Sequence, residues 1–600
     1  MVDIQYNNNK VMYTILENAR IVISLLKKHN IRHIVISPGG SNIPIVQGVQ
    51  QDPFFKCYSV VDERSAMYFA IGLYHETGEI IATSCTSAQA TRNYLPGLTE
   101  AFYKHVPILA ITMSKHPRYL SQEYMQCPIQ TSLPVDAVKK SFSLPRISDE
   151  NDRTLCVRMT NEAILELTHH KLGPVQLNIE ELDSETWIVD DKCSLPEVRM
   201  INRYTMYDQI SPMRNLLKDK KIMFLIGEHR VFSDKETHVI EDFCRHYDVF
   251  VYSHHISNYH GAFSFNANAA VTYLSQDYFE RECIPDILIT IGGLTGDYGI
   301  YSKLFNAPDE SFEHWRIDRD GDIVDTYGKL TKVFEMSIEQ FCSEITSEIK
   351  DENHSNHSYY EKWNKLQARI NLNLDLPLSN VFAAQQLHSI IPPYSRMNFA
   401  ILNSFRSWSL FDLDPSIVCA ANVAAFGIDG CLSLLLGQSI NTDNLSFLVT
   451  GDLAFFYDMN ALGIRHIKNN VRILLINNNG GMEFKYGSLY KKTDVDSYIA
   501  ASGHYKSAKG WAETCGFKYL KAESVSEFND NKMIFISQSE APVFFEIFTT
   551  PENERNASNI LYKENMLCPS FEKIKRDLKE NIKDVVGESN IKLLKKIFRK

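Results

Sequence analysis

The residues with the clearest chemical meaning are Gly451 and Asp452, and, further along, Asn478, Gly480 and Gly481. Thr450-Gly451-Asp452 ends one apolar, β-branched run, and Arg472 to Ile476 runs into Asn477-Asn478-Asn479-Gly480-Gly481. Both polar tips are expected at the carboxyl ends of adjacent parallel strands, where open α/β sheets place ligands. Mg²⁺ takes hard oxygens in near-octahedral geometry and accepts one or two protein groups beside phosphate and water. Asp452, the Asn478 amide oxygen and the Gly480 carbonyl would supply one charged and two neutral oxygens. Glycine at Gly451 and Gly480 lets main chain approach a phosphate. The bland alternative is two unrelated strand-ending turns, because GD and NG are common turn dipeptides.

A second acid stands in Tyr58-Ser59-Val60-Val61-Asp62-Glu63-Arg64-Ser65-Ala66, with apolar positions before it and a helix-like AMYFAIGL run after it. Glu63 in such a recess could pass protons to a heteroaromatic cofactor. From the residues alone, Asp62 and Glu63 read first as helix-start carboxylates placed against the helix dipole.

These residues need a scaffold, and the apolar pattern supplies one. Short runs at Ile34 to Ile36, Ile80 to Thr83, Ile108 to Thr112 and Val175 to Ile179 alternate with helix-length amphipathic stretches. The alternation resumes at Ile222 to Ile226, Val249 to Tyr252, Asp286 to Ile291 and Trp315 to Ile317. It resumes again at Phe399 to Leu402, Ile417 to Ala420, Phe447 to Thr450, Ile473 to Ile476 and Val543 to Ile547. The expected fold class is α/β, with three consecutive Rossmann-like domains on parallel sheets. Their expected bounds are 1-185, 195-350 and 360-555, with a polar linker DENHSNHS at Asp351 to Ser358 and an amphipathic helical tail over 556-600. That tail reads as packing on protein rather than on a membrane.

Composition narrows the function class. A net charge of −11 with no long basic block before the last turns gives no electrostatic footprint for nucleic acid. A polar Asn-rich start and no run of 18 apolar residues lead us to expect a cytoplasmic protein. Twelve cysteines, scattered singly without a CxxC pair, fit reduced thiols. His254, His255 and His260 lack a fourth ligand pattern and read as ordinary histidines rather than a zinc site.

Several blocks together resemble one family. GDLAFFYDMNAL followed by NNNGG is similar to the thiamine diphosphate (ThDP) fingerprint, with Leu453 in place of the usual second glycine. VISPGGSNIP, VDERSAMYFAIGL, TSCTSAQATRNYLPGLTEAFY and FGIDG resemble successive blocks of the succinyl-enolpyruvyl-hydroxycyclohexene-carboxylate (SEPHCHC) synthase family of menaquinone biosynthesis, from about residue 14 to 550. The resemblance implies pyrimidine-binding, central and diphosphate-binding domains, ThDP and Mg²⁺ as cofactors, and Glu63 as the catalytic glutamate. It also implies Asp452, Asn478 and Gly480 as metal ligands, and Ser404, Ile428, Gly451, Leu453 and Gly481 at the cofactor, with Ile428 wedging it into a bent shape. A homodimer or homotetramer follows, in which Glu63 of one subunit meets Asp452 of another. FAD, carried by the neighbouring acetolactate synthases, is not expected.

The departures lie where substrates bind. The family's PGSRSTP reads Pro38-Gly39-Gly40-Ser41-Asn42-Ile43-Pro44, so Ser41 stands where an acceptor-binding arginine belongs. Val423 and Trp408 fall on two donor-binding arginines, with Arg406 near enough to Trp408 to substitute. Removing a charged partner for a carboxylate changes recognition by several kcal/mol, roughly. The reading that follows is a carboligase that decarboxylates a 2-oxo acid, pyruvate favoured, and transfers the acyl unit to an acceptor other than isochorismate. Alternatives are a simple 2-oxo-acid decarboxylase, SEPHCHC synthase proper, or a non-catalytic ThDP-fold protein. Further pocket candidates are Gln126 in MQCPIQT, in a register open by one to four residues, together with His255, Asn258, Glu483 and Lys485.

Overall fold

The computed structural model describes residues 11–180, 187–347, 355–486 and 493–567. The chain forms two compact units, Met1–Tyr207 with Arg319–Glu335, and Asp208–Asp318 with Met336–Lys600. The expected tail beyond residue 567 and the first half of the polar linker, 351–354, lie outside the described residues.

The first unit holds a six-stranded parallel sheet in the order Lys56–Ser59, His33–Ile36, Ile81–Cys85, Ile108–Ser114, Val175–Glu180, Ser141–Leu144. Its four inner strands are buried throughout except at the half-buried Ser114, as near-continuous apolar runs covered on both faces must be. The edge strand Lys56–Ser59 is largely exposed and carries no apolar run, so hydrophobic patterning does not find it. Asn202–Thr205 pairs in parallel with Leu330–Glu335 in this unit, so residues grouped on the sequence as 195-350 are shared between the two units.

In the second unit five parallel strands run in the order Ser264–Asn266, Asp248–Ser253, Lys221–Ile226, Ile287–Ile291, Glu313–Asp318. The loops after Lys221–Ile226 and Ile287–Ile291, where the order reverses, are tied to each other. Gly293 N–H donates to the Glu228 carbonyl at 2.9 Å and Glu228 N–H to Leu294 at 3.0 Å. A further six-stranded parallel sheet has the order Val418–Ala421, Arg396–Phe399, Ser446–Gly451, Val471–Asn477, Val543–Phe548, Lys518–Ala522. Numbered along the chain, this sheet and the first unit's both read 2-1-3-4-6-5. Each therefore has a switch point between its first and third strands, where ligands bind in open α/β sheets. The layers of the second unit are joined by Asn258, whose side chain donates to the Cys419 carbonyl at 3.0 Å and accepts Cys419 N–H at 2.9 Å. Burying Phe399, Trp408, Val449 and Ile476 in one core contributes about 1.5–3 kcal/mol per side chain. No helix among the described residues is long and apolar enough to cross a membrane.

Candidate active site

Strand Ser446–Gly451 lies beside Val471–Asn477, with Gly451 opposite Ile476. At Gly451 the chain turns into the helix Asp452–Asp458, which places Asp452 at the carboxyl end of the sheet as a 2 % exposed carboxylate. Its Oδ2 accepts N–H bonds from Asn478 at 3.1 Å and Gly480 at 3.0 Å, while Oδ1 accepts Leu453 N–H at 2.7 Å. His504 Nε2 lies 3.1 Å from Oδ2. Burial pushes the Asp452 carboxyl above the usual carboxylate range, and the N–H bonds and His504 oppose that rise. Gly480 has φ +151°, and a Cβ there would sit 2.8 Å from the Ala500 carbonyl, so this loop needs glycine.

Glu554, in the first turn of helix Pro551–Asn565, completes the cluster. Its carboxylate accepts Asn380 N–H at 3.0 and 3.3 Å, and the side-chain amides of Asn403 and Asn478 also bond to it. Burial, with a contribution from the charge of Asp452, pushes its pKa up to about 8. An Asn478 amide that donates N–H to Glu554 turns its carbonyl oxygen to the opposite side. Two buried carboxyl groups, an oriented amide oxygen and a glycine loop form an oxygen-rich cradle, and such a donor set fits a hard divalent cation. Sequence reasoning missed Glu554 and His504. The first reads as an ordinary helix-start acid, and the second is a lone histidine with no local signal.

Around this cradle, Ser404 is buried in the helix Asn403–Trp408 at the switch point. Ile428 is half-buried against the core that includes Cys431 and Leu432. Gly481 donates to the Ala500 carbonyl at 2.6 Å. Arg406 Nη1 lies 2.9 and 3.0 Å from the two carboxylate oxygens of Glu483. Lys485 is buried and ion-paired to Asp496 at 2.7 Å.

Other expected substrate residues are packed rather than presented. Trp408 and Val423 are each 1 % exposed within the same core. His255 is buried, its Nε2 set 3.0 Å from the Trp408 carbonyl. His254 and His255 are buried, whereas His260 is exposed. Among the described residues the one three-membered group of metal-capable side chains is His169, His170 and Glu335, where His169 Nε2 already lies 2.7 Å from the Asp320 carbonyl.

In the first unit, Asp62 caps the helix Glu63–Thr77 by accepting Arg64 N–H at 2.9 Å and Ser65 N–H at 3.4 Å. Glu63 follows in the first turn and accepts from the Asn93 amide at 3.2 Å. The helix buries Ala66, Met67, Ala70 and Ile71 and leaves Tyr68 and Phe69 exposed, and Val61, two residues before Glu63, is exposed as well. Asn42 is fully buried, donating to the Ser37 carbonyl at 3.2 Å and accepting from Ser84. It therefore shapes the loop, while Ser41 stays half-exposed. Gln126 is exposed, whereas Gln130, at the far limit of the open register, is buried and accepts Ala88 N–H at 2.7 Å. Ala88 (φ 63°) and Leu402 (φ 64°) are strained non-glycine residues that follow strands at the two switch points.

The family described as "Thiamine pyrophosphate enzyme, N-terminal TPP binding domain" matches residues 17–133, which include Glu63. Over longer spans the chain is similar to proteins named 2-succinyl-5-enolpyruvyl-6-hydroxy-3-cyclohexene-1-carboxylate synthase. The Phocaeicola vulgatus protein is 34% identical over 552 residues, covering 90% of this chain and 97% of that protein. The Bacteroides thetaiotaomicron protein is 33% identical over 557 residues, covering 90% and 98%. The Flavobacterium johnsoniae protein is 28% identical over 558 residues, covering 91% and 98%. With the cradle at Asp452 and this likeness over nearly the whole of each relative, the chain belongs to the SEPHCHC synthase family of thiamine diphosphate-dependent enzymes.

Proposed function

We propose that the chain is a ThDP- and Mg²⁺-dependent carboligase that removes CO₂ from a 2-oxo acid and joins the remaining acyl unit to an acceptor. The observation that carries this reading is the buried carboxylate of Asp452, which gathers the Asn478 and Gly480 main chain into an oxygen-rich cradle. Asp452, the Asn478 amide oxygen and the Gly480 carbonyl would hold Mg²⁺, and diphosphate and water would complete its shell. Bound ThDP supplies the nucleophilic carbon and the electron sink that decarboxylation needs. Glu63 holds a proton at the aminopyrimidine, and Asn93 steadies its carboxylate. Ile428 shapes the cofactor. Exposed Val61, Tyr68 and Phe69, just before and within the helix that Glu63 begins, support a second copy covering this element, with the Glu63 of one copy serving the cradle of another.

For the substrates, the printed name of the relatives favours the SEPHCHC synthase reaction, in which a succinyl unit from 2-oxoglutarate is joined to isochorismate. A second reading, with a donor lacking a distal carboxylate such as pyruvate and a different acceptor, has its own support. Ser41, Val423 and Trp408 carry no charge, and Arg406 is already paired with Glu483. Incubation with ThDP and Mg²⁺ plus 2-oxoglutarate and isochorismate, or plus pyruvate, separates the two by CO₂ released and product mass. Release from 2-oxoglutarate with a succinylated product sinks the second reading. Release from pyruvate alone sinks the first, and free aldehyde as the sole product in every arm sinks carboligation.

A further inference from the structure

We propose that His169, His170 and Glu335 form a second metal site, which takes Zn²⁺ or a divalent cation of similar chemistry and staples the segment Arg319–Glu335 to the turn after the helix Glu150–Glu166. The site shares no residue with the cradle at Asp452 and does not depend on the function proposed above.

The chain brings the three side chains together from two places. His169 and His170 follow the end of the helix Glu150–Glu166, and Glu335 closes the strand Leu330–Glu335, which pairs in parallel with Asn202–Thr205. All belong to the first unit, and Glu335 is its last residue before the chain enters the second. One ligand atom from each of the three lies within 4.8 Å of the others. With His170 at φ 53°, the two consecutive rings stack with centroids 3.9 Å apart instead of pointing away from each other. A single turn prepares both ends of the site. The Asp320 carbonyl holds His169, and the adjoining Gly321, at φ 70°, leaves room for Glu335, whose Oε2 would lie 2.8 Å from a Cβ there.

The ring nitrogens decide what the site accepts. A carbonyl only accepts, so His169 Nε2, 2.7 Å from the Asp320 oxygen, carries the hydrogen and donates it. In the neutral ring the Nδ1 lone pair then faces Glu166 Oε2 at 3.2 Å, and a cation beside these two acceptors relieves their opposition. A ligating histidine commonly donates its other N–H to a backbone carbonyl, which fixes both the tautomer and the ring. His170 Nδ1 lies 3.5 Å from Glu335 Oε1. Neighbouring cations take the other carboxylate oxygens, with Lys139 Nζ 3.3 Å from Glu166 Oε1 and Arg203 Nε 3.6 Å from Glu335 Oε2. Glu166 Oε2 and Glu335 Oε1 are therefore the oxygens turned to the imidazoles. Two imidazole nitrogens and a carboxylate oxygen, with water in the fourth position, suit Zn²⁺ rather than Mg²⁺. The stacked rings, 24° apart in plane, must open for both nitrogens to point at one ion. His170, 60 % exposed, is the ring that turns, while His169, at 7 %, stays fixed.

The test uses the full chain in excess ThDP and Mg²⁺, which keeps the cradle filled, titrated with Zn²⁺ by calorimetry and with Co²⁺ by visible absorption. Wild type should bind one Zn²⁺ per chain, show the intense visible bands of four-coordinate Co²⁺ and gain Tm with Zn²⁺. His170→Ala, a change at an exposed position, and Glu335→Gln should each weaken Zn²⁺ by at least about tenfold and lose the Co²⁺ bands, with the Tm of His170→Ala without Zn²⁺ unchanged. Asp452→Asn should leave Zn²⁺ affinity as in wild type. Wild type without saturable Zn²⁺ binding overturns the inference. So does an affinity that survives both His170→Ala and Glu335→Gln, or one that is lost in Asp452→Asn, which would put the ion in the cradle.

Discussion

Asp452→Asn is the substitution whose consequences can be worked most fully from the geometry. The carboxylate accepts three main-chain N–H groups, two on Oδ2 and one on Oδ1. An amide has one acceptor atom. With its oxygen toward Asn478 and Gly480, its NH₂ faces the Leu453 N–H and leaves that donor unmet, at about 1–3 kcal/mol. Loss of a buried negative charge near Glu554 works the other way, so the protein without cofactor should change little in stability. Cofactor binding has no such offset, because the cation loses its one anionic ligand in the cradle. Taking a 100-fold loss as the minimum, a cofactor concentration that stabilises wild type by about 2.7 kcal/mol stabilises the variant by only about 0.4 kcal/mol. Thermal unfolding with and without ThDP and Mg²⁺ reads this directly. A variant that kept the full cofactor-dependent rise in Tm would refute the assignment of Asp452.

Three further substitutions probe the surrounding structure. Gly480→Ala forces a Cβ against the Ala500 carbonyl at 2.8 Å in a glycine-favouring conformation, and should cost about 1–3 kcal/mol and weaken cofactor binding, read by calorimetry. His254 is fully buried with both ring nitrogens unpartnered, and burial first, then the neighbouring His255, lowers its pKa to about 3. The unfolded chain therefore takes up a proton at pH 6.5 and below that the folded one refuses, and stability is lost as pH falls through that range. At pH 5.5 this amounts to about 1.4 kcal/mol, so the fall in unfolding free energy between pH 7.5 and 5.5, read by denaturant titration, should be smaller by that amount in His254→Phe than in wild type. An identical slope in both proteins would remove His254 from the account. Val423→Arg places a charge in a core packed against Gly296 and Phe405 and should cost several kcal/mol, roughly, seen as insoluble protein or a large fall in Tm.

The fold was legible in the sequence wherever strands are buried on both faces. His33–Ile36, Ile108–Ser114 and Val471–Asn477 announce themselves as apolar β-branched runs. Lys56–Ser59 and Lys518–Ala522 do not, because edge strands with solvent-facing positions lose that signature. The expected run at Phe399 to Leu402 ends at Phe399 instead, since Leu402 turns to φ 64° to start the next helix. At the site, Asp452, Asn478 and Gly480 could be read from strand-end chemistry, and the resemblance raised Glu63 above a capping acid. Glu554 could not be found, because its role depends on a helix from the end of the sheet reaching back to Asn478 and Asn380. Trp408 and Val423 read as substituted substrate contacts, while packing holds their side chains in the core.

The proposal to test is that Glu63 of one copy and the Asp452 cradle of another serve one ThDP-dependent decarboxylating reaction. The most direct measurement is CO₂ release from 2-oxoglutarate and from pyruvate by wild type and Glu63→Gln, with ThDP binding followed calorimetrically in the same samples. The account predicts release that requires both ThDP and Mg²⁺, and a Glu63→Gln variant that still binds ThDP while turnover falls by about 10²–10⁴-fold. Wild type that binds no ThDP in the presence of Mg²⁺, or a Glu63→Gln variant as active as wild type, would contradict it.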